Sequence, residues 1–294
     1  MDITTPPAAF SDAEATIAGK ILWEFTDGWK PSGSGASAAP ATSYDNDMGY
    51  SFGRPLITKL RKYGWVVIVT AGYNNVGGSN PGKGILYILN AKTGALLKKI
   101  ATTVGTATNP SGLAQVTGYT PNFADYTTDQ VYGGDLLGNV WRFDLTDPGG
   151  NYPTPELFAT LKDSSGNPQP ITAAPQIEID LDDVSRWVFV GTGRLLDNTD
   201  MSNTQQQTMY AFRDGTKSTP TVITTPLTRA DLSVTTNLLN GVNYTAGQEH
   251  GWYYDLLGTD ASTGGRERIS ASVVANNGII SWVGLTPQSG NACA

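Results

Sequence analysis

Few side chains in this sequence combine the types and spacing that bond-making chemistry needs. His250 is the single histidine, and a Ser/His/Asp hydrolase would need it within hydrogen-bond reach of an activated serine. Its neighbours Glu249 and Gly251 lead instead into Trp252-Tyr253-Tyr254, with no nucleophile elbow nearby, so it reads as a surface histidine at a strand edge. Gly191-Thr192-Gly193 has the glycines of a phosphate loop but no helical pattern after it. Asp180-Leu181-Asp182-Asp183 and Asp45-Asn46-Asp47 concentrate carboxylates without the spacing and central glycine of an EF-hand loop; both read as solvated turns. Asp125-Tyr126-Thr127-Thr128-Asp129 is a polar hairpin with turn-favouring acids at its ends. Cys293 is the single cysteine, which removes an internal disulfide and any Cys-based metal site, so it is free or its partner lies elsewhere.

The elements that must carry these residues read as strands. Asp129 to Leu145 holds two period-two runs, Val131/Gly133 against Tyr132/Gly134 and Val140/Arg142 against Trp141/Phe143, around the turn Leu137-Gly138-Asn139. With 294 residues, 39% hydrophobic, 15% charged, 34 glycines and 17 prolines, the chain favours many short strands and tight turns over long helices. It is all-β by this reading. One short helix over Ser11–Lys20, capped by Ser11 and ended by Gly19, is the exception the pattern allows.

Four stretches share a layout of strand, turn and aromatic-bearing strand at intervals of roughly 40 to 50 residues, the sign of a repeat architecture. The first runs from Phe52 through Trp65–Gly72 and Gly84–Asn90 to the turn Ala91-Lys92-Thr93-Gly94. The second holds Asp129–Leu145. The third runs from Ala174 through Arg186–Gly193 to Thr208–Gly215. The fourth comprises Gly251–Leu256, a strand Ile269–Ala275, the turn Asn276-Asn277-Gly278 and Ile279–Gly284. An earlier strand, Lys20–Phe25, resembles the closing strand of a preceding unit. The polar connections Pro31–Asp47, Thr102–Thr117, Asn198–Gln207 and Lys217–Asn243 read as face loops. Trp65, Trp141, Trp187, Trp252 and Trp282 sit where packing between repeats explains them, while Trp23 and Trp29 flank a Gly/Ser-rich loop and Trp29 is the better candidate for an exposed contact.

Net charge is −7, and basic residues gather only in short runs such as Lys98-Lys99, so neither nucleic acid nor an anionic membrane surface has electrostatic support. No apolar run reaches the roughly 18 residues of a membrane span, and Met1–Pro6 lacks the pattern of a signal peptide, as in a mature or trimmed chain. The Thr/Asn/Gln-rich, lysine-poor composition suits an exported bacterial protein.

Four motifs in order, Met48-Gly49-Tyr50-Ser51-Phe52-Gly53-Arg54-Pro55, Tyr132 to Asp144, Val190-Gly191-Thr192-Gly193-Arg194 and Gly251-Trp252-Tyr253-Tyr254-Asp255-Leu256, resemble the C-terminal propeller of the PilC/PilY1 family of type IV pilus assembly proteins. The resemblance runs from about Gly49 to Cys293. It implies a modified β-propeller of four-stranded antiparallel blades, exported to the pilus tip, outer membrane or cell surface. It also implies a non-catalytic role in pilus biogenesis, retraction and adhesion, with pilins or minor pilins and a host or abiotic surface as partners. Residues 1–47 then form an N-terminal extension with a blade-closing strand and polar loop, and 48–294 the propeller. The family ring is seven-bladed and this chain shows four to five units, so the propeller is truncated, smaller, or completed by another chain.

The resemblance further implies calcium in an Asp-x-Asp-x-Asp loop before the Tyr-x-Gly-Asp-Leu strand. That place holds Pro121 to Asp129, in which Asp125 and Asp129 are the acidic candidates for metal ligands. Two carboxylates with waters make a depleted site, and a plain turn is the competing reading. Lys83–Gly94 with Leu97 also resembles the repeat of quinone-dependent propeller dehydrogenases, but their vicinal cysteine pair is impossible with one cysteine. A secreted carbohydrate- or protein-binding propeller is the remaining alternative.

Overall fold

In this computed structural model the described residues are 21–28, 42–238, 241–259, 265–276 and 278–287. The expected helix at Ser11–Lys20, Trp29 and Cys293 lie outside them. β1 (Glu24–Thr26) and β2 (Thr42–Tyr44) form a parallel pair. The first full sheet is an antiparallel meander of β3 (Leu56–Leu60), β4 (Gly64–Thr70), β5 (Ile85–Asn90) and β6 (Leu96–Ala101). The second repeats it with β7 (Val116–Tyr119), β8 (Gln130–Gly134), β9 (Asn139–Asp144) and β10 (Glu156–Thr160). The third has β11 (Gln176–Ile179), β12 (Ser185–Gly191), β13 (Thr208–Thr216) and β15 (Gly251–Asp255), with β14 (Ser233–Val234) added parallel to β15. A hairpin, β16 (Val274–Asn276) and β17 (Ile279–Ser281), opens a fourth.

The central strands are apolar on both faces, and this requires each sheet to lie between two others. Val66 and Ile68 of β4 and Leu86 and Ile88 of β5 pack with Val131, Trp141 and Phe143 of the second sheet. Their neighbours Val67, Ile85, Tyr87 and Leu89 turn the other way and meet Trp23 and Phe25. In the second sheet Tyr132 and Val140 take the opposite face and join Val188, Val190, Tyr210 and Phe212 of the third. The alternate residues Trp187, Phe189, Met209 and Ala211 face Ile280 and Trp282 beyond. Because side chains alternate along a strand, a one-residue slip would exchange both interfaces at once. Each fully buried aliphatic or aromatic side chain in these layers is worth about 1.5–3 kcal/mol. The result is an all-β, propeller-like succession of sheets. Residues at the starts of β3, β7 and β11, with Ser272, line a shared cavity of about 280 Å³, so the first strands converge on one axis.

Connecting segments lock each sheet to the next. Gly72 N donates to Leu113 O (3.0 Å), Ile171 N to Asp135 O (3.0 Å) and Ile269 N to Thr192 O (2.9 Å), each joining a segment that enters one sheet to the sheet before it. A side chain at Gly134 would collide with Ile171 and one at Gly191 with Ile269, so the glycines at the ends of β8 and β12 are required by close approach. Asp135-Leu136-Leu137-Gly138-Asn139 repeats as Asp147-Pro148-Gly149-Gly150-Asn151 and Asp163-Ser164-Ser165-Gly166-Asn167. In each, the Asp carboxylate accepts from the backbone N–H groups two and four residues on. Asp135 is fully buried and also accepts from Asn139 Nδ2 (3.0 Å) and Trp141 Nε1 (2.9 Å). Burial pushes its carboxyl up, against the pull of the Trp141 and Asn139 donors.

Between the second and third sheets lies a buried ionic cluster. Asp214, fully buried, accepts from Arg142 Nη1, from the Tyr132 hydroxyl and from Thr221 N (2.9 Å). Arg186 donates to Tyr132 Oη (2.9 Å) and Gln130 Oε1 (3.1 Å), stacks on the Tyr119 ring at 3.9 Å and approaches Asp214 to 3.8 Å. Arg142 also bonds Glu156 and the Thr221 carbonyl (2.7 Å).

Several expectations need correction. Gly251–Leu256 opens no fourth repeat: Gly251–Asp255 is the strand beside β13, so the third sheet reaches five strands with one parallel neighbour. The long strand expected at Ile269–Ala275 begins at Val274, because Ile269 is spent on the bond to Thr192. The connection Lys217–Asn243 contributes buried Leu227 and Leu232 to the core, and Asn198–Gln207 contains a 3₁₀ helix, Asn198–Ser202, with Asp200 buried. Asp45-Asn46-Asp47 is no solvated turn either. Asp47 is buried, accepting from Asn80 N (2.7 Å) and Ser79 Oγ (3.0 Å) and pairing with Lys99. Trp23 is held by its bond to Ala91 O (3.0 Å) and by contact with Gly94.

Replacing Asp214 by Ala leaves Arg142 and Arg186 buried without their counter-charge and is expected to cost about 3–5 kcal/mol, read as a lowered urea midpoint. Trp141→Phe removes one of the two side-chain bonds to Asp135 Oδ2 and leaves part of the indole's space empty, and is expected to cost about 1–3 kcal/mol in the same measurement. Burial alone would raise the Asp47 carboxyl, but the bonds from Lys99, Asn80 and Ser79 outweigh it and hold it below the ordinary value. Its stabilisation is therefore complete above about pH 4 and lost as pH falls through the depressed value. The stability gap between the parent chain and Asp47→Asn is expected to be constant from pH 7 to 5 and to shrink below about pH 4.

Candidate functional site

The turn before β8 places the two acids of the calcium expectation on separate tasks. Asp129 accepts from Arg61 Nη2 at 2.6 Å, and its backbone is tied to Tyr119 O and Leu145 N. Asp125 is exposed and accepts from Thr127 N at 2.8 Å, which holds its carboxyl below the ordinary carboxylate value. Calcium takes six to eight oxygen ligands. Here one of two carboxylates is already neutralised by a guanidinium, and no group of three or more His, Cys, Asp or Glu gathers for a metal among the described residues. Two side-chain carboxylates on their own fall short of that number.

The same turn is an exposed aromatic surface. Asn122 to Tyr126 are all exposed, with Phe123 at 75% and Tyr126 at 57% of full accessibility. Trp65, expected among the packed tryptophans, is 53% exposed: it points away from the sheet interfaces and lies against Tyr126, ring centroids 6.1 Å apart and planes 39° from parallel. Tyr126 has φ +58°, a left-handed conformation that costs a non-glycine residue about 1–3 kcal/mol. The turn is held in place nonetheless. Tyr126 O accepts from Lys59 N (3.3 Å) and Thr58 Oγ1 (3.2 Å), and Thr128 N donates to Lys59 O (2.9 Å), docking the segment on β3.

The remaining candidates resolve into scaffold. His250 is exposed at the start of β15, its carbonyl accepting from Arg213 N (2.8 Å), as a strand-edge residue should. Gly191-Thr192-Gly193 is filled by Ile269 and Arg268. Arg268 is buried, and its guanidinium donates to the carbonyls of Arg194 (2.8 Å), Asp200 (2.6 Å) and Asn203 (3.2 Å). The Asp180–Asp183 turn is exposed except for half-buried Asp180, and pairs with Arg213 through Asp183 (2.6 Å). A groove of about 490 Å³ is lined by Trp187, Phe189, Trp252 and Ile280 together with Glu178 and Asp182, between the third sheet and the β16–β17 hairpin. The ionic cluster around Asp214 escaped the sequence reading, although Arg142 alternating with Trp141 and Phe143 in an otherwise apolar strand is a visible signal for an inward cation.

The model of the PilY1 beta-propeller domain matches residues 9–245. A Type IV pilus biogenesis factor PilY1 homolog of Xylella fastidiosa is 27% identical, the match covering 100% of this chain and 20% of that protein. Type IV pilus biogenesis factor PilY1 of Pseudomonas aeruginosa is also 27% identical, over 94% of this chain and 26% of the relative. The chain thus spans about a fifth to a quarter of these relatives' length. The crystal structure of the Pseudomonas aeruginosa PilY1 C-terminal domain matches with a TM-score of 0.66 at 28% identity, over 82% of this chain and 57% of that one. With three successive sheets locked in this manner and most of its length matched by the domain model, the chain belongs to the PilY1 β-propeller domain family.

Proposed function

We propose that this chain is a non-catalytic, exported propeller domain of a type IV pilus protein, acting in pilus biogenesis and in attachment at the pilus tip or cell surface. One observation carries the reading: the family match over residues 9–245. The use of the polar groups supports it. Buried Asp135, Arg142, Arg186, Asp200, Asp214 and Arg268 are spent on turns and inter-sheet locks. His250 lies exposed at a strand edge, where its carbonyl accepts from Arg213 N. What the fold offers outward is loops on a rigid scaffold, the usual place for recognition. Pilins or minor pilins and a host or abiotic surface are the partners this role needs. Among the described residues the last sheet is the β16–β17 hairpin, and in this reading another chain would complete the ring.

We further propose that the Asp125–Asp129 turn holds its shape without calcium, Arg61 and Thr127 N supplying the positive charge and the donor.

Removing the coding segment for residues 48–287 from the natural gene is expected to abolish surface piliation and attachment together; unchanged piliation and attachment would refute the pilus role. For the turn, adding EGTA to the purified chain is expected to leave the melting temperature unchanged. A calcium ion at a hundred times its dissociation constant would add about 2.7 kcal/mol, so a fall of several degrees restored by Ca²⁺ alone counts against the proposal.

A further inference from the structure

The exposed pair Trp65 and Tyr126 lies on the outer side of β4 and the turn before β8, and nothing in the packing of the sheets requires it there. Both rings are more than half exposed, although aromatic side chains gain most from burial. The backbone beneath them is strained at Tyr126, yet three hydrogen bonds to β3 hold it. Strain that is maintained at an exposed loop points to a use for the conformation.

We propose that Trp65 and Tyr126 form a platform that stacks a neutral pyranose ring of a surface glycan. This deepens the attachment role proposed above and rests on it. A sugar ring is amphipathic, with an apolar face of C–H groups and an edge of hydroxyls, and the surroundings match both parts. The tilted aromatic pair supplies the apolar contact. Around it stand Lys59, Arg61, Asp125 and Asp129, two cations and two anions, with the Arg61–Asp129 pair at 2.6 Å and Asp125 within the field of Lys59 and Arg61. Their charges cancel, which gives an acidic or basic ligand no net attraction while leaving donors and acceptors for hydroxyl groups. Phe123, 75% exposed in the same turn, extends the apolar surface available to a longer oligosaccharide.

The test uses the whole chain on an array of neutral hexose and N-acetylhexosamine oligosaccharides, followed by saturation-transfer NMR with the bound members. Two variants address the platform: Trp65→Ala, and Tyr126→Gly, which removes the ring while accepting the left-handed backbone. Each is expected to weaken binding roughly tenfold with the melting temperature of Trp65→Ala preserved, whereas Leu181→Ala, exposed in the β11–β12 turn, leaves binding unchanged. Absence of any bound neutral oligosaccharide at millimolar concentration overturns the proposal. So does binding that survives both variants, or a loss of attachment in Trp65→Ala cells that is confined to protein-coated surfaces, which would make the patch a protein-docking site. Piliation is scored in the same cells: normal piliation with lost glycan binding supports the platform, and normal piliation with no glycan binding in the parent refutes it while the pilus role stands.

Discussion

One fully buried carboxylate, Asp214, joins the second sheet to the third. It takes bonds from Arg142 and Tyr132 on one side of the interface and lies beside Arg186 on the other, while Arg186 in turn stacks on Tyr119. Two arginines in an apolar layer cost several kcal/mol each unless paired and hydrogen-bonded. That constraint fixes the relative register of β8, β9, β12 and β13 more sharply than the aliphatic contacts around it, since leucine and valine tolerate small slips and a guanidinium fork does not. The glycine-mediated joints at Gly134 and Gly191 repeat the same inter-sheet relation at both sides of the third sheet's first strands.

A scaffold locked in this way assigns different work to different polar groups. The carboxylates of Asp135, Asp147 and Asp163 close their own turns, and those of Asp47, Asp200 and Asp214, all buried, take up partners elsewhere in the fold. Arg268 spends its guanidinium on backbone carbonyls of the Asn198–Ser202 region. The Trp65–Tyr126 pair stands outside these networks: its removal would open no cavity in any of the four inter-sheet layers.

Much of the scaffold was legible in the chain alone. Period-two alternation in Val131–Gly134 and Val140–Phe143, glycine at the turns and the recurrence of the pattern specified strands, their pairing within a sheet and the repeated unit, because these depend on neighbours close in sequence. The Gly251–Asp255 strand was misplaced for the converse reason. It joins β13 across a long connection, and only the third sheet's hydrogen-bond register assigns it. The acids at Asp45–Asp47 looked like solvent-facing turn residues because Lys99, Ser79 and Asn80, which bury Asp47, are distant in the chain.

The sequence by itself determined the all-β class and the family, since each rests on residue types in local order. Tertiary structure alone decided which side chains meet. Tryptophans at similar strand positions read alike in one dimension, yet Trp141 is sealed against Asp135 while Trp65 stands in solvent beside Tyr126. The physical reason is that burial and partnership depend on the sheet packed against each face, and no local pattern specifies how much of that face the next sheet covers.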